Sequence, residues 1–462
     1  MVKVRGSYYL LIFLLCLFIF SNALHHDFLL DDYALFFYSH NLHTLKGFSV
    51  FFWHDFHGFY RPITCIFLKL TNLIFQNNPV GYHVVNLLLF ILIGILFFEL
   101  ILWFSKSSPL ALLASLLYVV HPINNIFVNA KVNSLPMLSI LTMQISFLLL
   151  LRFLDRKKVL PYFLSLIFYF IGLLCHEMSA LLPLYLGLSM RFIQGFNIRK
   201  ICEFLWPYIM TLLVYSLLRA QVPDLRPLDT LFRLEITIPS YVATTMFLVF
   251  WYLSKLIFPR DIVLVWDTLL LKEDLLFWNS MFWLLLLVVL YLLIFRLRKG
   301  LSAFGLSVFF VGVVPVSVAS FSNTFWFKTA YIEPQWFGFS SIGFFTLIAQ
   351  GLLNFKNKIP QAIGMILIVI LIGGLALWTQ QSNLVWKDEE TYCTYWLKVN
   401  PTDVTAKRGK AHAYIRKHDK GSEFERYTDR NEVLSLIEGF KLLGENEKAR
   451  EYEIILQKMP KP

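Results

Sequence analysis

Asp31 and Asp32 stand side by side in FLLDDYALFF, residues 28–37, directly after the first apolar stretch of the chain. Their flanks are apolar on both sides, which places the pair near a bilayer surface rather than in a solvated linker. The surrounding segment is dense in titratable groups: His25, His26, His40, His43, His54 and His57, then Arg61 and His83. Carboxylates, imidazoles and a guanidinium gathered beside a membrane fit acid–base or phosphate chemistry. Taken alone, two Asp residues after a helix also fit a polar helix end that N-caps the next segment. The crowd of titratable neighbours tips the reading towards chemistry.

Further groups have two readings each. Tyr60-Arg61-Pro62 is either a turn before an amphipathic segment or a guanidinium fork for a phosphate. His83 and Asn86 in GYHVVN are three apart and share a helical face. They serve the site or cap a helix–helix contact, and the site is the preferred reading. His121-Pro122 ends an apolar span, with Pro stopping the helix and His in the interface. His54 and His57 flank Asp55, but no HExxH or comparable pattern accompanies them, so no metal is expected. Cys16, Cys65, Cys175, Cys202 and Cys393 are scattered without CxxC spacing, which excludes a disulfide framework or a zinc site.

The elements that position these residues are apolar. Hydrophobic residues make up 57% of the chain and charged residues only 15%, against about 25% charged in a soluble domain. The chain is therefore a polytopic, all-α membrane protein. Its net charge of +11 is spread in short runs between apolar spans, with no basic face for nucleic acid. About 20 apolar residues cross a bilayer, and eleven spans are expected, at 7–24, 82–104, 109–127, 133–153, 159–175, 177–192, 202–219, 277–296, 301–320, 338–354 and 359–379. The first could pass for a signal peptide cleaved after SNA. A retained helix is preferred, because the loop after it needs holding at the membrane. Lys3, Arg5, Lys106, Arg156–Lys158, Arg199, Lys200, Arg296, Arg298, Lys299, Lys356 and Lys358 then fall on one side, the cytoplasm. The N-terminus is inside and the C-terminus outside. Segment 241–259 is apolar enough to span, but counting it puts RLRKG outside, so it is read as a re-entrant or interfacial helix.

Three regions lie outside on this reading: a first loop from about 25 to 81, residues 220–276, and a tail from 380 to 462. The chain thus divides into a multi-spanning domain, 1–379, and the tail. Residues 385–462 hold 15 Lys/Arg and 14 Asp/Glu, and the long apolar runs stop there. FKLLGENEKAREYEIILQKMP has a helix-turn-helix pattern with a Gly after the first helix, Ala449 and a closing Pro, as in a tetratricopeptide repeat. WLKVNPTDVTAKRGKAHAYIRKHDK echoes it. Two degenerate repeats are too few for a self-supporting solenoid, so the tail is expected to lean on the membrane domain or on a partner protein.

Taken in order, DDYALF, FHGFYRPIT, GYHVVNLLLF, VVHPIN and HEMSALLPL resemble the membrane half of the transmembrane and tetratricopeptide-repeat O-mannosyltransferases. More broadly they resemble multi-spanning glycosyltransferases of the GT-C, lipid-phosphate-sugar type. The resemblance implies transfer of mannose or a related hexose from a polyprenyl-phosphate donor to a protein or glycan hydroxyl on the outer face, with inversion. It puts the general base on the acidic pair: Asp31 as base and Asp32 orienting, or the reverse. Arg61, with His83 and Lys131, would face the donor phosphate. His57, Tyr60, Asn86, His176, Glu177 and Glu333 are further cavity candidates. A monophosphate leaving group needs a divalent cation less than a pyrophosphate does, so no obligatory metal is expected. The chain departs from the family pattern at Ile126, at Lys131 and Asn133, at His176-Glu177 and at Glu333-Pro334, which leaves a different lipid-linked sugar open. The runner-up is a transporter or lipid-carrier flippase, which would place ionisable groups near mid-bilayer. Phe-rich spans and compact loops point to a bacterial inner membrane.

Overall fold

The structure, a computed structural model, describes residues 2–36, 48–53, 59–222, 237–269, 275–292, 300–313, 316–317, 329–421, 427 and 429–459. His40, His43, His54, Asp55, His57, the PDLRPLDTLFRLE stretch and Arg296–Lys299 lie outside the described residues.

Helices dominate. Pro79–Ser105 shows why they form where they do: Asn78 accepts the Val80 amide as N-cap, Pro79 opens the first turn, and Lys106 in the left-handed conformation closes the helix. Its 27 residues rise about 40 Å. The acidic residue inside it, Glu99, is matched by Arg5 at 3.3 Å and by the Tyr9 hydroxyl, both on helix Val2–Phe20.

Among the described residues, five helices are long and apolar enough to cross a membrane: Pro79–Ser105, Lys131–Arg156, Ile198–Ala220, Ile238–Ile257 and Gln361–Trp386. Ser108–Val120 and Pro122–Asn129, bent by 60°, make a sixth if they count as one span. The eleven expected spans are thus five or six by this measure. Several of the others are interrupted or short. Segment 177–192 opens with a 3-10 turn, Glu177–Leu181, leaving an 11-residue helix, Leu182–Phe192. Segment 109–127 breaks at His121-Pro122 because proline cannot continue the amide ladder; segment 301–320 carries helix Leu301–Val311, and its residues 314–315 and 318–320 lie outside the described residues. Segment 241–259, expected to be re-entrant or interfacial, lies in the 20-residue helix Ile238–Ile257, capped by the Thr237 side chain. The charge rule that argued against it acts on topology, and apolar content alone sets its length.

The first loop, 25–81, contains a 14-residue apolar helix, Pro62–Phe75, whose Thr64 hydroxyl donates to the Cys175 carbonyl at 2.8 Å. The all-α class fits, with one short extended pair beside the helices: Trp266–Leu269 runs antiparallel to Thr329–Ile332, with Trp266 opposite Ile332. Extended backbone satisfies its N–H and C=O groups by such pairing, and the second strand delivers Glu333 just past its end.

The bundle core is aromatic. Phe90 stacks on Tyr118 and Phe127 at centroid distances of 5.9 and 6.0 Å. Helices Leu301–Val311 and Ser341–Lys356 approach so closely that a Cβ on Gly343 would come within 2.3 Å of the Gly305 carbonyl oxygen, the small-residue contact that lets membrane helices touch.

The tail forms two helical hairpins. Asp388 and Asp403 cap the helices of the first, Glu389–Val399 and Val404–His418. In the second, Arg430–Leu443 ends at Gly444, whose φ of 83° makes the turn into Asn446–Lys458. Val433, Leu436, Phe440, Ala449, Tyr452 and Ile455 give this hairpin its own small core. Tyr392, Cys393 and Trp396 of the first hairpin belong instead to the main core of the membrane helices.

Candidate active site

Asp32 is fully buried at the start of the short helix Asp31–Phe36. One carboxylate oxygen accepts the Leu29 amide at 3.0 Å and the other the Val132 amide at 2.8 Å. Lys131 Nζ lies 3.9 Å away. Burial pushes the Asp32 carboxyl up to about 6 against the pull of Lys131 and the two amides, so it remains ionised at neutral pH. These contacts pin the loop after the first helix to the 131–133 turn. Lys131 donates to the Asp27 carbonyl at 2.5 Å and lies over the Phe28 ring at 4.8 Å. Its side chain has no exposed surface, and its contacts are with the loop that carries Asp27, Phe28 and Asp32.

His83 and Asn86 do share a face, and they meet backbone with it. His83 Nδ1 lies 2.9 Å from the Val128 carbonyl and Nε2 lies 3.1 Å from the His26 carbonyl. A neutral imidazole has one N–H and donates to one of them at a time. Asn86 Nδ2 sits within 3.2 Å of the carbonyls of Phe127, Ala130 and Lys131. Both therefore cap the irregular turn after Pro122, the helix-contact reading of their spacing. His121 is buried too, its Nε2 3.0 Å from the Leu256 carbonyl.

Asp31, by contrast, is exposed. Its charge reaches Glu333: burial, reinforced by Asp31 and opposed by Arg61, pushes the Glu333 carboxyl up to about 8. Asp31, Glu333 and Arg61 thus share one electrostatic neighbourhood at one end of the bundle. The Gln335 amide donates to Glu333 at 2.5 Å, and the Tyr252 hydroxyl donates to the Glu333 carbonyl at 2.7 Å.

Arg61 precedes helix Pro62–Phe75 and lies 4.0 Å over the Phe59 ring. Its Nε and Nη2 both reach one oxygen of Glu177, at 2.9 and 2.8 Å. Burial disfavours the Glu177 carboxylate, yet Arg61 holds it down to about 2. His176 next to it stays neutral: burial and Arg61 lower it to about 3, and its Nδ1 accepts the Met178 amide. Its 3.6 Å approach to Glu177 is therefore no ion pair. Tyr60 is buried against Tyr215, whose hydroxyl sits 3.5 Å from the Tyr60 carbonyl. Tyr215 also interacts with Arg61, Glu177 and Arg219, which brings a second guanidinium to this end of the bundle. Sequence reasoning did not name Arg219, although a lone Arg closing the 202–219 span, on the side where the charge rule expects none, marks it.

Among the described residues, no three His, Cys, Asp or Glu side chains come together as metal ligands. A cavity of about 300 Å³ near Asn125, Arg260, Trp378 and Tyr395 contains none of the candidate residues.

The raised carboxyl of Glu333 has a measurable consequence. Its folded pKa of about 8 exceeds the ordinary 4.5, so the folded state holds the proton longer. The stability it contributes is present below pH ~4.5 and is lost as pH rises through about 8. Asp32 has the same sign with its midpoint near 6, and it titrates alike in wild type and Glu333→Gln, so Glu333 is read from their difference. Between pH 6 and 8 the melting temperature of wild type in detergent should therefore drop relative to that of Glu333→Gln. An equal fall in both proteins would mean that Glu333 is not a buried acid.

These helices and their loops define a multi-pass helical membrane protein. No protein-family profile matches the chain. It is similar to the human protein O-mannosyl-transferase TMTC3, with 29% identity over 130 residues, covering 26% of this chain and 14% of the human protein. The mouse protein O-mannosyl-transferase TMTC3 is 28% identical over 129 residues, covering the same shares. This supports a distant relation to that family, with only a small part of the relatives' length spanned.

Proposed function

We propose that the chain is a membrane glycosyltransferase that moves mannose or a related hexose from a polyprenyl-phosphate donor to a protein or glycan hydroxyl. The observation that carries this reading is the grouping of exposed Asp31 with Arg61 and Glu333 at one end of an apolar bundle, in a chain distantly similar to O-mannosyl-transferases. Asp31 takes the acceptor's proton as the hydroxyl oxygen bonds to the anomeric carbon. The bond from that carbon to the phosphate oxygen breaks, and polyprenyl phosphate leaves with the electron pair. One displacement inverts the centre. A carboxylate so placed contributes about 10²–10⁴-fold. Arg61 and Arg219 stabilise the departing phosphate, and neutral Glu333 avoids adding a second negative charge beside Asp31. No divalent metal is required on this reading.

The arrangement fits a membrane domain, 1–379, of GT-C type whose active face is extracytoplasmic, with the N-terminus cytoplasmic. The tail, 380–462, is a pair of tetratricopeptide-like repeats available to a protein acceptor or partner. A bacterial inner membrane is the proposed location. The test is transfer by purified full-length protein in liposomes, offered radiolabelled polyprenyl-phosphate hexoses and membrane extract as acceptor, with and without chelator. Label appearing in protein or glycan, indifferent to chelator, is expected. Failure with every donor would sink the enzyme reading and favour the transporter; loss with chelator would overturn the metal-free mechanism.

A further inference from the structure

The segment that carries Asp31 is held from two sides. From the bundle, Val132 and Lys131 hold Asp32. From the tail, the first hairpin grips the residues on either side of the acidic pair. The Asp27 amide donates to the Lys387 carbonyl at 2.9 Å, and the Leu30 amide donates to Glu389 Oε1 at 3.2 Å. Leu30 has φ of 42°, in the left-handed region that a branched residue rarely adopts. Such a conformation persists only where its surroundings impose it, and the Glu389 carboxylate fixes the amide of this residue. Glu389 is buried and also forms an ion pair with Arg416 of the next helix. The Arg416 guanidinium in turn lies 3.9 Å over the ring of Tyr33. Gly409 leaves room for Leu30, since a Cβ there would come within 2.6 Å of its side chain.

We propose that Glu389 and Arg416 are positioning residues for Asp31: the tail's first hairpin imposes the backbone turn that presents this carboxylate, so the tail is part of the transfer machinery and not only a binding appendage. This rests on the reading of Asp31 as the base; the grip on the loop does not.

The experiment uses the full chain in nanodiscs. Hydrogen–deuterium exchange over residues 27–36 is measured for wild type, Arg416→Ala and Glu389→Gln, together with kcat and donor KM for transfer. Glu389→Gln is isosteric and keeps an acceptor for Leu30 while removing the charge that Arg416 pairs with, which guards against a variant that fails to fold. Faster exchange over 27–36 is expected in both variants, with exchange in Pro79–Ser105 unchanged. With it should come a fall in kcat of up to about 10²-fold, the scale of a small misplacement of a catalytic group. Donor KM should stay within about twofold, because a ground-state contact is not removed. Arg416→Lys, which keeps the charge but not the planar stack, should recover part of the kcat. Unchanged exchange over 27–36 would overturn the proposal, and so would faster exchange with unchanged kcat. Wild type inactive with every donor would instead remove the glycosyltransferase reading, and the positioning role with it, while the exchange data would still show whether the tail grips the loop.

Discussion

Asp31→Asn should slow transfer about 10²–10⁴-fold, whereas Asp32→Asn should do its damage through the fold. Asparagine matches aspartate in shape but cannot accept the acceptor's proton, and exposed Asp31 lies where a hydroxyl can approach. Asp32 has no exposed surface, and each of its oxygens already accepts a backbone amide. An Asn there turns an N–H group towards one of those amides and leaves buried Lys131 without its carboxylate. Breaking a buried charge pair from one side costs about 3–5 kcal/mol. Thermal unfolding and single-turnover transfer, measured on the same preparations, separate the two effects. If Asp31→Asn transfers like wild type while folded Asp32→Asn does not, the roles are reversed. If both transfer normally, neither carboxylate is the base.

Part of this was legible in the sequence. The apolar, helical character, the break at Pro122 and the turn at Gly444 follow from local composition and periodicity; the count of eleven spans does not, since five or six helices are long and apolar enough among the described residues. The acidic pair could be picked out because apolar runs flank it and titratable groups crowd around it. Which of the two is buried could not, because that depends on Val132, a hundred residues away. The spacing of His83 and Asn86 gave a shared face correctly, but the face meets carbonyls only because the chain after Pro122 folds into irregular turns that need capping. Lys131 was a phosphate candidate only through the family resemblance. Its partner is instead the Asp27 carbonyl, set by the path of the first loop. Glu389 and Arg416 were unremarkable in a tail so rich in charge, and their grip on Leu30 and Tyr33 depends on how the tail docks. Local pattern thus located the elements, and long-range pairing decided which polar residues support the fold and which face outwards.

Arg61 tests that division most sharply, because it has two candidate partners: Glu177, which it already binds, and the donor phosphate. Arg61→Ala leaves Glu177 with its bonded oxygen stripped and its other oxygen, Oε1, buried without a hydrogen-bond partner. The side chains are 12% and 25% exposed, so the expected loss of stability is about 3 kcal/mol, the low end for a buried pair broken from one side. Removing both charges in Arg61→Ala/Glu177→Ala takes away the orphaned carboxylate, and most of that stability should return, since the cost lies in the unpaired charge rather than in the missing bond. Activity should not return. A leaving phosphate loses the guanidinium that would meet it, and an interaction made mainly in the transition state lowers kcat and kcat/KM together. Arg61→Lys should fall between, because an ammonium cannot offer two N–H groups in a fixed fork. Arg219 would account for the residual rate, so Arg219→Ala added to the double variant should abolish it. A double variant that regains both melting temperature and transfer would show that Arg61 serves only as the counter-ion of Glu177, and the phosphate site would then have to be sought around Arg219.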